Sequence, residues 1–238
     1  MQAENWSAVV NPEKPPKNVP PIRPSAGRPT REQSLQRRDE LLDCALDSFL
    51  EHGFEQATME LIATAIGMSK RTVYAYYGDK EALFRAAVER AIERYTVPRE
   101  ALDALIGHDL EQTLRAVGRL RVANIASHVS TTLQRILAAQ SHRFPDLFNA
   151  AFTRGAGPTI AFLVDLFARH QARGGICVPE PERAAVAFLS LVVSGPARII
   201  VSGNPLSDEE IEARIGFGVG LFLNGIRVRR NDSDQKLV

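Results

Sequence analysis

Between positions 69 and 80 the chain reads SKRTVYAYYGDK, a short run crowded with hydrogen-bond donors. Lys70 and Arg71 carry cationic donors, Ser69 and Thr72 carry hydroxyls, and Tyr74 and Tyr76 add phenol groups on apolar rings. Three of the four tyrosines lie between positions 74 and 77. Such groups suit phosphate oxygens, and a guanidinium can also hold guanine O6 and N7 together. Ser69 is a natural helix cap, which puts Lys70 and Arg71 at the positive end of a helix dipole, where cations are mildly unfavourable. A sequence that accepts this cost has a use for those charges. The plainer alternative is an exposed helix with solvated charges and partly buried tyrosines.

The elements that would carry these groups span residues 58–77, TMELIATAIGMSKRTVYAYY. Thr58 can cap one short helix and Ser69 a second, with Gly67 supplying the positive φ of a tight turn between them. Two helices cross steeply only where their backbones come close, and Ala63 permits that approach. Ile62, Ile66, Met68 and Val73 would fill the shared core. At 100° per residue, Val73 and Tyr77 point to the core while Arg71, Thr72 and Ala75 face outward, flanked by Lys70, Tyr74 and Tyr76. Gly78 ends the second helix and Asp79 caps a longer one that reaches Tyr95. Lys80, just after that cap, is placed to meet a phosphate docked at the helix start. Upstream, Leu41, Leu42, Ala45, Leu46, Phe49 and Leu50 form one apolar stripe that Gly53 brings to a stop.

From Arg37 to Ala91 the chain resembles the N-terminal domain of the TetR family of transcriptional regulators. The residues that carry the resemblance are the apolar first helix with Gly53-Phe54, then Thr58, Ile62-Ala63, Gly67-Met68-Ser69, Thr72 to Tyr77, and Asp79-Lys80-Glu81-Ala82-Leu83. Tyr77 stands where phenylalanine is more usual. The resemblance implies backbone contacts to double-stranded DNA from Thr58, Tyr74, Tyr76 and Lys80, and base reading by Lys70, Arg71 and Thr72. Met59 and Ser69, at the starts of the two short helices, complete the expected DNA-facing set. The domain from Gly27 to Tyr95 has ten Lys and Arg against twelve Asp and Glu, so binding must depend on where charges sit. The total charge of +1 says nothing on this point.

Around this domain the organisation follows from composition. Residues 1–30 hold seven of the fourteen prolines and no apolar run, the wrong composition for a secretory leader, so none is expected; residues 1–26 read as a disordered tail. Ala26–Arg38 carries Arg28, Arg31, Arg37 and Arg38 against Glu32 alone; it reads equally as a flexible basic arm for DNA and as a solvated linker. The divisions expected are therefore 1–32 tail and arm, 33–96 helix-turn-helix domain, 97–228 helical domain, and 229–238 tail. Beyond Pro98, helical segments are predicted near 100–106, 110–140, 145–154, 159–173, 181–201 and 207–228, separated by Gly, Pro or Asn. Nothing alternates as a strand would, so the fold class is all-α.

The resemblance makes the C-terminal part a domain for effector binding and dimerisation. Ala184–Val201 is apolar nearly all round, and Ile211–Ile226 adds four glycines. Meeting their symmetry mates, these helices would make a four-helix bundle through Phe188, Leu189, Val192, Ile199, Ile215, Phe222 and Ile226; burial inside one subunit is the alternative. Two-fold symmetry would make the operator a pseudo-palindrome. Phe144, Phe148, Phe152, Phe162 and Phe167 are candidates to wall an apolar effector pocket with Asn124, His128 and Arg143 at its polar edge, though aromatic residues at such spacing also build ordinary core. Cys44 and Cys177 have no metal-ligand spacing, and neither a metal nor a cofactor is expected. Gly155-Ala156-Gly157 and Gly216-Phe217-Gly218 follow no strand and lack the lysine of a phosphate loop. With no catalytic constellation and no membrane-length apolar run, a cytoplasmic homodimeric repressor is expected rather than an enzyme. A DNA-binding architectural protein or an activator, without a small-molecule effector, is the second reading.

Overall fold

Thr30 opens the first helix with a capping box: its hydroxyl accepts from the Gln33 amide at 3.2 Å, and the Gln33 side chain accepts from the Thr30 amide at 3.0 Å. The computed structural model describes residues 30–228, so Arg28 and both expected tails lie outside the described residues. Helix α1 runs Arg31–Gln56, α2 Met59–Ala65, α3 Lys70–Tyr76, α4 Lys80–Tyr95, and α5 Arg99–Asp103. Then follow α6 Leu110–Ala126, α7 His128–Ala139, α8 Pro145–Ala172, α9 Pro181–Val192, α10 Ser194–Val201 and α11 Asp208–Ile226. Among the described residues the only extended pairing is an isolated bridge between Ile176 and Arg227. The chain is all-α.

Four boundaries differ from the sequence reading. The capping box starts α1 nearly three turns before its apolar stripe, so Arg31, Arg37 and Arg38 belong to a helix and not to a flexible arm. The segment expected at 110–140 breaks at Ser127, whose hydroxyl caps α7 through the Ser130 amide at 3.3 Å. The two segments expected on either side of Pro158 form one helix. A proline inside a helix loses one backbone hydrogen bond and crowds the carbonyl four residues earlier. Here Leu147 on one flank and Phe162, Leu163, Leu166 and Phe167 on the other are all buried, which offsets that loss. Finally, the segment at 181–201 is two helices bent by 42°, with Pro196 in the first turn of the second, where its missing N–H costs little.

The N-terminal compact unit contains α1–α4, α7 and the start of α8, as residues up to Thr96 together with Ser127–Gly155. Its core joins Leu41, Ala45 and Phe49 of α1 to Ile62, Val73, Phe84 and Val88, and closes with Leu133, Leu137, Phe144 and Leu147. Phe49, Phe54, Phe84 and Phe144 pack as a ring cluster, with centroids 5.0 Å apart for Phe49–Phe84, 4.9 Å for Phe54–Phe84 and 5.3 Å for Phe54–Phe144. Each such pair adds about 0.5–1.5 kcal/mol beyond its area burial. Residues 127–155 thus pack with the helix-turn-helix.

The second unit is Val97–Ala126 together with the chain from Ala156 onward. At Gly118 of α6, an added Cβ would meet Val192 Cγ1 of α9 and Ile215 Cγ2 of α11, each at 3.0 Å. That close approach draws three helices together, and Phe222 fills the space beside them, 5.5 Å from Phe167 and 5.3 Å from Phe188 between ring centroids. Among the described residues, no single helix is long and apolar enough to cross a membrane.

Candidate nucleic-acid interface

The site depends first on the turn between α2 and α3. Thr58 caps α2 by accepting from the Leu61 amide at 3.1 Å. Helix α2 ends in a paired reverse bond: the Met68 amide donates to the Ala63 carbonyl at 2.9 Å, and the Gly67 amide to Thr64 at 3.2 Å. Gly67 has φ +66°, a conformation that a side chain would strain. Ser69 then caps α3 through the Thr72 amide at 3.1 Å, and Asp79 caps α4 through Ala82 at 2.8 Å. Three caps and one left-handed glycine therefore set two short helices at a fixed crossing.

Helix α3 turns its polar residues outward. Val73 is fully buried and Tyr77 is 5% exposed, and these two hold the helix from behind. Lys70, Arg71, Thr72 and Ala75 are exposed, as are Tyr74 and Tyr76. Among the described residues Arg71 makes no hydrogen bond or ion pair, so its guanidinium is available to an outside acceptor. Lys70 is paired with Glu60 of α2 and lies 5.7 Å from the Tyr74 ring centroid. The hydrogen bond between the two raises the Lys70 pKa and lowers that of Glu60. Both side chains remain more than half exposed, so a phosphate can take Lys70 from Glu60 at little cost. The Thr72 and Ser69 hydroxyls are 2.8 Å apart, which holds the Thr72 side chain at the head of the helix with acceptor capacity left over.

Two expected contacts take other positions. Met59 is 3% exposed and belongs to the core cluster, so it is removed from the DNA-facing set. The first residue of α2 after the cap points inward here, which its helical position alone did not reveal. Lys80 donates to the carbonyls of Phe54 at 2.9 Å and Glu55 at 3.1 Å and lies over the Phe54 ring. It closes the end of α1, satisfying carbonyls that the helix leaves without partners. Arg38, expected in the flexible arm, instead donates Nε to the Tyr77 hydroxyl at 2.8 Å and stacks on that ring. No feature of the sequence pairs positions 38 and 77; only the packing of α1 against α3 does so.

The candidate effector residues divide between the two units. Phe144 is buried in the N-terminal unit beneath Arg143 and Arg85, whose guanidinium carbons lie 5.7 Å and 5.0 Å from its ring centroid. Arg143 also pairs with Glu81 and Glu55, and Arg85 with Asp146, so these cations pin residues 143–146 to α4 and the end of α1. Phe148 and Phe152 are exposed, and His128 is exposed at the start of α7. Phe162 and Phe167 are fully buried in the second unit, where Asn124 is also buried. As wall residues of one pocket, Phe144 and Arg143 are therefore excluded, because they serve the core and the ion pairs of the N-terminal unit.

The candidate dimer residues require a similar correction. Phe188, Val192, Ile215 and Phe222 are each less than a tenth exposed within one subunit and cannot also face a partner. Leu189, Ile199 and Ile226 are half-buried. The apolar surface left open on α9 and α11 consists of Val186, Leu191, Phe217 and Leu221, exposed by 40, 46, 71 and 49%. Periodicity showed both helices to be apolar all round and so could not say which stripe the chain itself would cover.

Two short capped helices joined by a tight turn and presenting an exposed cationic and phenolic stripe, in a chain that also has a second helical unit, define a helix-turn-helix DNA-binding protein. Residues 41–87 match the family model described as bacterial regulatory proteins, tetR family, and residues 112–225 match the AefR-like transcriptional repressor, C-terminal domain. The chain belongs to the TetR family of transcriptional regulators. It is 36% identical over 80 residues to the HTH-type transcriptional repressor ComR of Escherichia coli, a match spanning 34% of this chain and 36% of that protein. With the repressor Rv1474c of Mycobacterium tuberculosis it shares 26% identity over 70% of this chain and 83% of that protein. Among solved structures it is similar to a TetR-family regulator from Mesorhizobium loti, with a TM-score of 0.72 and 25% identity over 84% of this chain and all of that one. It is also similar to the flavonoid-responsive regulator FrrA, with a TM-score of 0.64 and 31% identity over 82% of this chain and 99% of that one.

Proposed function

We propose that this protein is a transcriptional repressor that binds a pseudo-palindromic operator as a homodimer and releases it when a small molecule binds the C-terminal unit. The observation that carries the reading is the outward stripe of Arg71, Thr72, Tyr74 and Tyr76 backed by buried Val73 and Tyr77. Arg71 supplies base-edge hydrogen bonds, while Thr58, Tyr74, Tyr76 and a freed Lys70 hold the flanking phosphates. Dimerisation through the open apolar stripe of α9 and α11 supplies the second reading head, and the half-sites then lie one helical turn apart, about 34–36 Å.

Release requires an effector with different affinity for the bound and free conformations. The ion pairs of Arg143 and Arg85 support a route for it, since they tie residues 143–146 to α4, the helix that follows the reading head. That FrrA is described as flavonoid-responsive supports a small-molecule input in a related protein. The experiment is selection of bound duplexes from a random pool by the full chain, followed by fluorescence anisotropy on the selected sequence and on a half-site. A selected sequence without inverted symmetry, or equal affinity for the half-site and the full site, would overturn the dimeric-operator reading.

A further inference from the structure

Among the described residues, Arg121 is the one charged side chain in the buried class, 7% exposed on helix α6. The buried positions Leu114, Val117, Gly118 and Asn124 lie to either side of it around the helix, which puts it in the middle of the inward face. Its Nε and Nη1 are sealed from solvent and have no hydrogen-bond partner. Two of the three guanidinium nitrogens are thus kept from water, whereas a long arginine stem commonly carries its charged head out to solvent. Among the described residues no carboxylate offsets the charge: burial is the sole influence on its pKa, lowering it to about 10, so the group stays cationic at neutral pH.

A second group in the same unit is left in the same condition. Thr159 of α8 is fully buried and its hydroxyl has no partner. A helical threonine ordinarily bonds the carbonyl one turn back, as Thr132 does to His128 at 2.8 Å and Thr153 to Asn149 at 3.0 Å. Thr159 does not. Arginine can only donate, so the group that satisfies Arg121 must be an acceptor, and a threonine hydroxyl can donate to an acceptor as well. An isolated cation in an apolar interior is strongly unfavourable, and a chain that retains one without an internal acid leaves the counter-charge to come from outside.

We propose that Arg121 receives the carboxylate of an organic acid with an apolar body, and that such acids are the effector class of this protein. The apolar body follows from the neighbours of Arg121 on its own face, Leu114 and Val117, both fully buried. The planar guanidinium takes a carboxylate through two parallel hydrogen bonds, which gives the site its selectivity for acids over alcohols of the same shape. This inference rests on the effector-released reading given above and adds an acidic head to the small apolar effector expected from the sequence.

The test uses the full chain with decanoate and 1-naphthoate as probes, and 1-decanol and 1-naphthalenemethanol as their neutral counterparts. Calorimetry and thermal melts should show the acids binding and raising the melting temperature, with the alcohols weaker by about tenfold to a hundredfold. Arg121→Met should melt higher than wild type without ligand, because it removes an unpaired buried charge, and should lose the acid response. Arg121→Gln, which keeps a polar head of smaller size, should lose it as well. The proposal falls if neither acid binds, if the alcohols match the acids, or if either variant keeps its acid affinity. It falls equally if both variants melt below wild type or fail to fold, since the arginine would then serve the fold. Anisotropy on the selected duplex is measured in parallel. DNA binding with no acid response refutes this proposal alone, and an acid response without DNA binding refutes the repressor reading alone.

Discussion

Phe217 projects from α11 with 71% of its surface exposed, more than any other large apolar side chain described. If α9 and α11 form the dimer face, Phe217→Ala removes that ring from the contact and leaves the subunit core untouched. Full burial of a phenylalanine contributes about 1.5–3 kcal/mol, and scaling by the exposed fraction leaves about 1–2 kcal/mol per ring. A two-fold interface contains the same residue from each subunit, so the dimer loses about 2–4 kcal/mol. At about 1.4 kcal/mol per factor of ten, dissociation becomes roughly 30-fold to 1000-fold easier. Sedimentation velocity across a dilution series reads this directly, and operator affinity should fall with it as monomers lose the second half-site. Phe222→Ala is the matched contrast. Phe222 is 8% exposed inside the subunit, and its removal should cost about 3–5 kcal/mol of fold stability through the cavity it leaves. A Phe217→Ala protein that stays dimeric at the dilution of wild type, or that unfolds as Phe222→Ala does, would refute the assignment of this face.

Three further outcomes are expected. Arg71→Ala should lower affinity for the selected operator by about 1–3 kcal/mol and flatten preference at one base pair, leaving binding to random DNA nearly unchanged in competition anisotropy. Tyr77→Phe keeps the buried ring but deletes the acceptor for Arg38, and should lower stability by about 1 kcal/mol, read as a melting shift of about 2–4 °C. Glu212 accepts from Arg119 of α6, with one Nη2–Oε2 distance of 2.8 Å, and this bond holds its carboxyl below the ordinary 4.5. A carboxyl with a lower pKa folded than unfolded contributes stability above 4.5 and loses it as the pH falls through the folded value. Arg119→Met should therefore narrow the gap between melts at neutral pH and at about pH 3.

The reading head was legible because its signals are local. Capping by Thr58, Ser69 and Asp79, the left-handed Gly67 and the inward pair Val73 and Tyr77 each depend on residues within one or two turns, and the structure has each as anticipated. The four displaced boundaries have a different cause. At Pro158 the local cost of a proline is outweighed by burial on both flanks, a balance that only packing can strike.

By itself the sequence determined an all-α chain with two short crossing helices and an exposed cationic stripe, since helical period and cap chemistry act over a few residues. Tertiary structure alone decided which apolar stripe of α9 and α11 stays open and that residues 127–155 join the helix-turn-helix unit. It also paired Arg38 with Tyr77 and left Arg121 buried without an acid. Each of these depends on which distant residue occupies a given face, and a helix that is apolar all round carries no mark of its eventual neighbour.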